Sequence, residues 1–161
     1  MSAEWITLIE RFGAAVAVGG AIGLNRKLHG KPVGIRTHAL VALGSATFTY
    51  VSIGGVGLTD NGGPGLRTVQ GIVTGIGFVG AGVILHRSGS KDRITGLTTA
   101  SALWFTAALG VACGAGLFVP AFVATVLALI VLIIGGPIEG YIERYCAPKP
   151  SVPPVREPPV E

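Results

Sequence analysis

The residues whose types and spacing could support chemistry are few, and nearly all of them lie inside long apolar runs. Glu10 and Arg11 interrupt the first run, while Gln70 and Thr74 in the third are four residues apart and would share one helix face. In hydrocarbon a carboxylate can bind a cation or a proton, whereas amides and hydroxyls bond to a neighbouring helix or line an ion path. The same two uses apply to the hydroxyls of the fourth run, Thr98, Thr99, Ser101 and Thr106. We favour structural hydrogen bonding for these uncharged groups.

Glu10 and Arg11 are open to two interpretations. Adjacent helical residues point about 100° apart, so the two side chains do not form an ideal pair with each other. Either both lie near one membrane–water interface, where their charged ends reach water, or Glu10 turns inward as a ligand for a cation or a proton. We favour the first interpretation.

Enzymatic chemistry has no candidate nucleophile with a neighbouring base. The sequence contains no Ser-His-Asp or Cys-His arrangement and no paired carboxylates, and His29, His38 and His86 are scattered. Cys113 and Cys146 belong to no CxxC motif and to no cluster with histidine. We therefore predict that the protein is not an enzyme and that it binds no cofactor and no metal.

A glycine pattern in the third run matches the GxGxxG of dinucleotide-binding loops, as Gly75-Ile-Gly77-Phe-Val-Gly80. That fingerprint requires a preceding strand and an acidic residue about twenty positions later, but the chain reads Thr-Gly-Leu-Thr-Thr from position 95. Small residues instead let membrane helices approach closely, within one chain or in a homodimer. The pairs spaced i, i+4 are Gly19 and Gly23, Gly71 and Gly75, and Gly110 and Gly114. The third run supplies the main predicted packing surface: Gly71, Gly75, Gly77, Gly80 and Gly82.

The elements that position these residues follow from the composition. The chain has 161 residues, of which 50% are hydrophobic and 26 are glycine, and only 20 are charged, 12 basic and 8 acidic. This 12% of charged residues is about half the roughly 25% of a soluble domain. A soluble enzyme, a disulfide scaffold and a disordered chain are excluded. Because the basic residues cluster between apolar runs, we also predict no nucleic-acid partner. Of the classes considered, the composition leaves a membrane protein.

Five apolar segments are long enough, or nearly long enough, to cross a hydrocarbon core of about 30 Å. None alternates with a period of two, so helices rather than a barrel must satisfy the backbone. We predict an all-α membrane protein whose residues 1–146 form one domain in the lipid bilayer, followed by a disordered, proline-rich cytoplasmic tail over residues 147–161. The predicted transmembrane helices cover residues 5–24, 37–58, 69–85, 97–113 and 117–134, and a Gly-Ala-Gly turn separates the last two.

The distribution of lysine and arginine predicts the orientation. With five crossings, ten of the 12 basic residues fall on one side: Arg26, Lys27, Lys31 and Arg36, then Arg87, Lys91 and Arg93, then Arg144, Lys149 and Arg156. Only Arg11 and Arg67 fall on the other side. By the positive-inside rule, the N-terminus lies outside and the C-terminus is cytoplasmic.

Four segments, in this order, carry a family resemblance: Gly23-Leu-Asn-Arg26, Lys31-Pro-Val-Gly-Ile-Arg-Thr-His38, Gly75-Ile-Gly-Phe-Val-Gly-Ala-Gly-Val-Ile84 and Thr95-Gly-Leu-Thr-Thr-Ala100. Over roughly residues 13 to 121 the chain resembles the MgtC/SapB family of bacterial inner-membrane proteins. The resemblance implies a multi-pass protein of the inner membrane, in a short form with the proline-rich tail where longer members carry a soluble domain.

The resemblance also implies a function. Members are associated with adaptation to low magnesium, and some with survival inside host cells. The role it implies is regulation of another membrane complex, such as the ATP synthase or an ion-transport system, through an integral membrane protein partner. The alternative is a small transporter or channel for Mg²⁺ or another cation. With Glu10, the candidate functional residues are Arg26, Lys31, Arg36, Thr37, His38, Arg67, Gln70, Thr98, Thr99 and Trp104.

Two departures from the family pattern bear on cation binding. The family usually has Leu-Glu-Arg at the end of the first helix, where this chain reads Leu24-Asn25-Arg26. It also usually has an aspartate three residues before the arginine of the second connection; that position is Pro64 here, and Asp60 lies seven residues before Arg67. Because Mg²⁺ prefers charged oxygen ligands, these changes weaken the transporter hypothesis.

Overall fold

Five α-helices make up nearly all of the structure, a computed structural model that describes residues 2–55, 63–86 and 95–146. A π-helical turn, Val51–Gly55, directly follows the second helix. The described ranges contain no strand, so the prediction of an all-helical protein is confirmed. The helices are α1 (Ser2–Leu28), α2 (Ile35–Tyr50), α3 (Gly63–His86), α4 (Leu97–Gly114) and α5 (Phe118–Cys146).

Four of the helices, α1, α3, α4 and α5, are long and apolar enough to cross a membrane. The second helix is shorter: α2 has 16 residues, which is about 24 Å against a hydrocarbon core of about 30 Å. The π-helical turn adds five residues to it. The described chain therefore contains four clear candidate spans, and α2 can serve as a fifth only together with this turn.

The helices extend beyond the apolar runs that predicted them. The first begins at Ser2 and ends at Leu28, and α5 continues from Ile134 to Cys146. An apolar run marks only the part of a helix that hydrocarbon surrounds, whereas the backbone hydrogen bonds continue into the polar interface. The α-helical part of α2 ends at Tyr50, short of the predicted Leu58. Residues 56–58, the basic residues of the third connection and the tail over 147–161 lie outside the described residues.

Glycines bring α2 into backbone contact with both α1 and α4. A Cβ atom added at Gly23 of α1 would lie 2.7 Å from the Cα of Ile35. From the other side, a Cβ at Gly110 of α4 would meet the carbonyl oxygen of Ala42, and one at Gly114 would meet that of Ala46. Side chains cannot fit between backbones at these distances. The predicted close packing is therefore present at two of the three i, i+4 pairs, those in α1 and α4.

Two turns at the helix ends depend on glycines with positive φ. Gly30 (φ +66°) follows α1, and Gly116 (φ +80°) lies between α4 and α5. The N–H of Gly116 donates to the Cys113 carbonyl at 2.9 Å, and the N–H of Leu117 donates to the Ala112 carbonyl at 2.8 Å. This Schellman pattern ends α4 and returns the chain as α5, as the Gly-Ala-Gly segment predicted.

The core consists mainly of small side chains, while large apolar side chains point outward. Ala42 and Ala46 are fully buried, whereas Phe78 is 84% exposed and Val119 is 74% exposed. A water-soluble protein would bury such residues. Their exposure on long apolar helices is what a lipid environment requires, so the protein is a membrane protein.

Candidate functional site

A buried polar cluster joins three helices at the end of the bundle where α1 ends and α2 begins. We define it as Arg26 from α1, His38 from α2, and Thr99 and Thr106 from α4. All four are at least 97% buried, with relative exposures of 3%, 0%, 2% and 0%. Buried polar groups are costly unless they are hydrogen-bonded. The contacts within the cluster therefore fix how the three helices meet.

The first contact joins α1 to α4. The Nη2 atom of Arg26 donates to the Oγ1 atom of Thr99 at 2.7 Å. A guanidinium remains charged in proteins, so this is a charge-assisted hydrogen bond, roughly twice as strong as a neutral one. Arg26 lies in the last turn of α1, and its side chain reaches the first turn of α4.

The second contact joins α2 to α4. The Thr106 hydroxyl donates its single hydrogen to the Ala102 carbonyl at 2.8 Å. It must therefore accept from the Nδ1–H of His38, whose Nδ1 atom lies 2.8 Å away. The His38 Nε2 atom is buried without a hydrogen-bond partner among the described residues.

The spacing of the cluster residues shows why they meet. Thr99 and Thr106 are seven residues apart, so both project from the same face of α4. Arg26 and His38 flank the turn through Gly30, which places the end of α1 beside the start of α2. Sequence analysis identified all four residues, but it did not pair Arg26 with Thr99 or His38 with Thr106.

The other predicted site residues are not brought together. Gln70 and Thr98 are exposed, and Trp104 is 49% exposed. The Gln70 backbone carbonyl accepts the Thr74 hydroxyl at 2.9 Å. Among the described residues there is no group of three or more His, Cys, Asp or Glu that could hold a metal ion, and Asp60 lies outside the described residues. The remaining candidates, Glu10, Lys31, Arg36, Thr37 and Arg67, are also exposed.

Three buried hydroxyl residues of α2 and its π-helical turn were not singled out by the sequence analysis: Ser45, Thr49 and Ser52. The Thr49 hydroxyl donates to the Ser45 carbonyl at 2.8 Å, and the Ser52 hydroxyl donates to the Thr49 carbonyl at 2.9 Å. With His38 they follow one face of the helix at spacings of seven, four and three residues. That periodicity was the signal available in the sequence.

Glu10 and Arg11 have different surroundings. Glu10 is exposed, whereas the Nη1 atom of Arg11 donates to the Gly114 carbonyl at 2.8 Å. The Arg11 guanidinium also lies 5.5 Å from the centroid of the Tyr50 ring. A cation at a helix C-terminus is favourable, so Arg11 caps α4 inside the bundle rather than extending outward. Both residues lie at the level where α4 ends.

The glycines of α3 face two directions. A Cβ at Gly80 would lie 3.4 Å from the Ala100 Cβ of α4, so this glycine packs inside the chain. The other four predicted packing positions would meet no described atom within 4 Å: Gly71, Gly75, Gly77 and Gly82. Beside them a groove of about 490 Å³ separates α3 from α2, lined by Phe48, Gly71 and Gly75 among others. Contact of these four glycines with a second protein stays a prediction.

Comparison with known proteins identifies the family. A model described as the MgtC family matches residues 12–141. SrpB of Synechococcus elongatus is 43% identical over 136 residues, covering 80% of this chain and 75% of that protein. The Escherichia coli protein named "Putative magnesium transporter YhiD" is 43% identical over 136 residues (82% and 60%). Protein MgtC of Brucella abortus is 40% identical over 129 residues (80% and 51%).

The matched region thus spans between about half and three quarters of these relatives' length. None of the three names describes an enzyme. No solved structure matches the chain. The family model covers the buried polar cluster and the glycine-rich α3 alike. The resemblance seen in the sequence is confirmed: the chain belongs to the MgtC family.

Proposed function

We propose that this chain is a non-enzymatic protein of the bacterial inner membrane that regulates another integral membrane complex, such as the ATP synthase or an ion-transport system, during adaptation to low magnesium. The observation that carries the proposal is the outer face of α3, where Gly71, Gly75 and Gly82 lie on one side with Phe78 between them. Phe78 is 84% exposed, and a Cβ atom added at any of the three glycines would meet no atom of another described helix within 4 Å.

The same chain shows what such a surface does when a helix covers it. At Gly110 and Gly114, glycines four residues apart bring α4 into backbone contact with α2. Gly71 and Gly75 have the same spacing, but among the described residues no helix packs directly against them. Lipid provides no hydrophobic driving force between helices, so close packing of this kind is a main source of helix association in the membrane. The α3 face therefore suits a transmembrane helix of a partner protein.

Photocrosslinking in native membranes tests this function. A photoreactive phenylalanine analogue at position 78 is expected to form an adduct with a subunit of an integral membrane complex. Gly75→Leu should reduce that adduct by at least about tenfold, equivalent to about 1.4 kcal/mol, because the added side chain keeps the partner helix away. In vesicles that lack this chain, adding the wild-type protein should restore the regulated activity of that complex, whereas adding Gly75→Leu should not.

The matched control is the same analogue at Phe122 of α5, which is 67% exposed and is expected to crosslink only to lipid. The thermal stability of Gly75→Leu in detergent should match that of the wild type, because Gly75 faces open space. Adducts with lipid alone at position 78, or with a second copy of this chain alone, would contradict a regulatory role. The second result would indicate a homodimer.

Cation transport is the competing function, and the name of the YhiD relative favours it. A path within one chain needs polar groups that converge near the middle of the membrane. Glu10, Gln70 and Thr98 are all exposed, and they lie on three different helices. Flux of Mg²⁺ into proteoliposomes that decreases with Glu10→Gln and Gln70→Leu would support transport and oppose regulation. Flux no greater than that of empty vesicles is the result expected here.

We also propose five crossings, with α2 and its π-helical turn as the second, an external N-terminus and a cytoplasmic C-terminus. The lysine and arginine distribution supports this orientation. Single cysteines at Ala3, Lys31 and Gly65, introduced without other reactive cysteines, should react with a membrane-impermeant reagent. Ala3→Cys and Gly65→Cys should react in intact spheroplasts, and Lys31→Cys only in inverted vesicles. Reaction of Gly65→Cys on the same side as Lys31→Cys would mean that α2 does not cross.

A further inference from the structure

The last helix is longer than its neighbour. The turn at Gly116 makes α4 and α5 antiparallel neighbours. Because α5 has 29 residues and α4 has 18, α5 continues about 16 Å beyond the level at which α4 begins. We define residues 137–146 as the α5 extension. The whole helix is about 43 Å long, which exceeds a hydrocarbon core of about 30 Å but matches the roughly 40–45 Å of a bilayer with its headgroup layers.

The α5 extension has an apolar face and a polar face. Ile138, Tyr141, Ile142 and Tyr145 follow the spacing i, i+3, i+4, i+7, which places them on one side of the helix. All four are at least half exposed, with Tyr145 at 73%. The rings of Tyr141 and Tyr145 are in contact, with centroids 4.6 Å apart and ring planes tilted by 35°.

This apolar face continues the outward surface of the membrane-crossing part of α5. Leu127, Val131 and Ile134 are exposed by 58%, 67% and 48%, and Ile138 follows one turn after Ile134. The same stripe thus runs from the hydrocarbon level to the end of the helix without a change of side. Tyrosine appears on this stripe only in the extension, at Tyr141 and Tyr145, and tyrosine is enriched at the membrane–water interface.

We propose that the α5 extension lies in the lipid–water interface and anchors the end of the bundle to the bilayer. Its apolar face lies against the headgroup layer next to the acyl chains, with the tyrosine hydroxyls toward the headgroups. Burial of apolar surface, rather than charge, supplies the attraction, because the extension contains Glu139, Glu143 and Arg144 and so has a net charge of −1, which anionic lipid does not attract. The interaction should therefore not require anionic lipid. This inference is independent of the regulatory function and rests only on α5 crossing the membrane.

A pair of adjacent probe positions tests the anchor at nearly equal depth. Tyr145 and Arg144 differ by about 1.5 Å along the axis but by about 100° in direction. Single cysteines at the two positions, in a Cys146→Ser background, would carry an environment-sensitive fluorophore in proteoliposomes. The background protein itself controls for labelling at Cys113, which is 1% exposed. Ile138→Cys and Glu139→Cys repeat the comparison about two helical turns earlier.

The expected result is blue-shifted emission at position 145, with quenching by brominated lipid about threefold or more greater than at position 144. The pattern should be the same in zwitterionic and anionic vesicles and insensitive to salt. Equal, water-like emission at both positions would overturn the proposal. So would protection of position 145 that appears only with anionic lipid, or only after a partner protein is added, which would indicate that the face binds that protein.

Discussion

Gly110→Ala should destabilise the helix bundle by about 2–3 kcal/mol, the upper part of the range for overpacked cores. The added methyl group would meet the carbonyl oxygen of Ala42 and lie 2.8 Å from the Cβ of Ser45. A backbone carbonyl cannot rotate away as a flexible side chain can, so α2 and α4 must move apart. That movement also loosens the contact between His38 and Thr106, one turn away on the same face.

The measurement is unfolding in mixed micelles by increasing fractions of a denaturing detergent, followed by far-UV circular dichroism. Gly75→Ala is the matched control, since it makes the same chemical change in a neighbouring helix but meets no described atom within 4 Å. Its midpoint should equal or slightly exceed that of the wild type, because alanine is the better helix former. Equal midpoints for the two variants would show that α4 and α2 do not pack as described.

Thr99→Val should cost about 2 kcal/mol, the range for losing a buried hydrogen bond to a charged group. Valine keeps the shape of threonine but removes the oxygen that accepts from Arg26 at 2.7 Å. Thr99 is 2% exposed, so water does not readily replace the lost acceptor. The unfolding assay used for the glycine variants measures this loss.

Two further variants show whether the hydroxyl itself matters. Thr98→Val makes the same change at the adjacent, exposed position and should leave stability unchanged. Thr99→Ser keeps the acceptor oxygen and should recover most of the lost stability. If Thr98→Val and Thr99→Val were equally destabilising, the role given to the contact between Arg26 and Thr99 would be wrong.

Much of the architecture could be read from the sequence because its causes are local. Scarce charge and long apolar runs indicate membrane helices, since hydrocarbon offers the backbone no other partners. The Gly-Ala-Gly segment predicted the turn between α4 and α5, because glycine adopts the positive φ that the turn needs. The family resemblance identified Arg26, His38 and Thr99. It did not show that Arg26 reaches Thr99 across a bundle in which 73 residues separate the two along the chain.

The direction in which each side chain faces was decided only in three dimensions. The side chains of adjacent helical residues point about 100° apart. For this reason Thr99 is buried while Thr98 is exposed, and Arg11 points into the bundle while Glu10 is exposed. In a soluble helix the contrast of polar and apolar faces reveals which side is buried. A helix in lipid is apolar on both sides, so that contrast is lost. By itself the sequence determined that the protein is helical, membrane-embedded and rich in packing glycines. Only the packing of neighbouring helices decided that Gly110 and Gly114 lie against α2 while Gly71 and Gly75 remain uncovered.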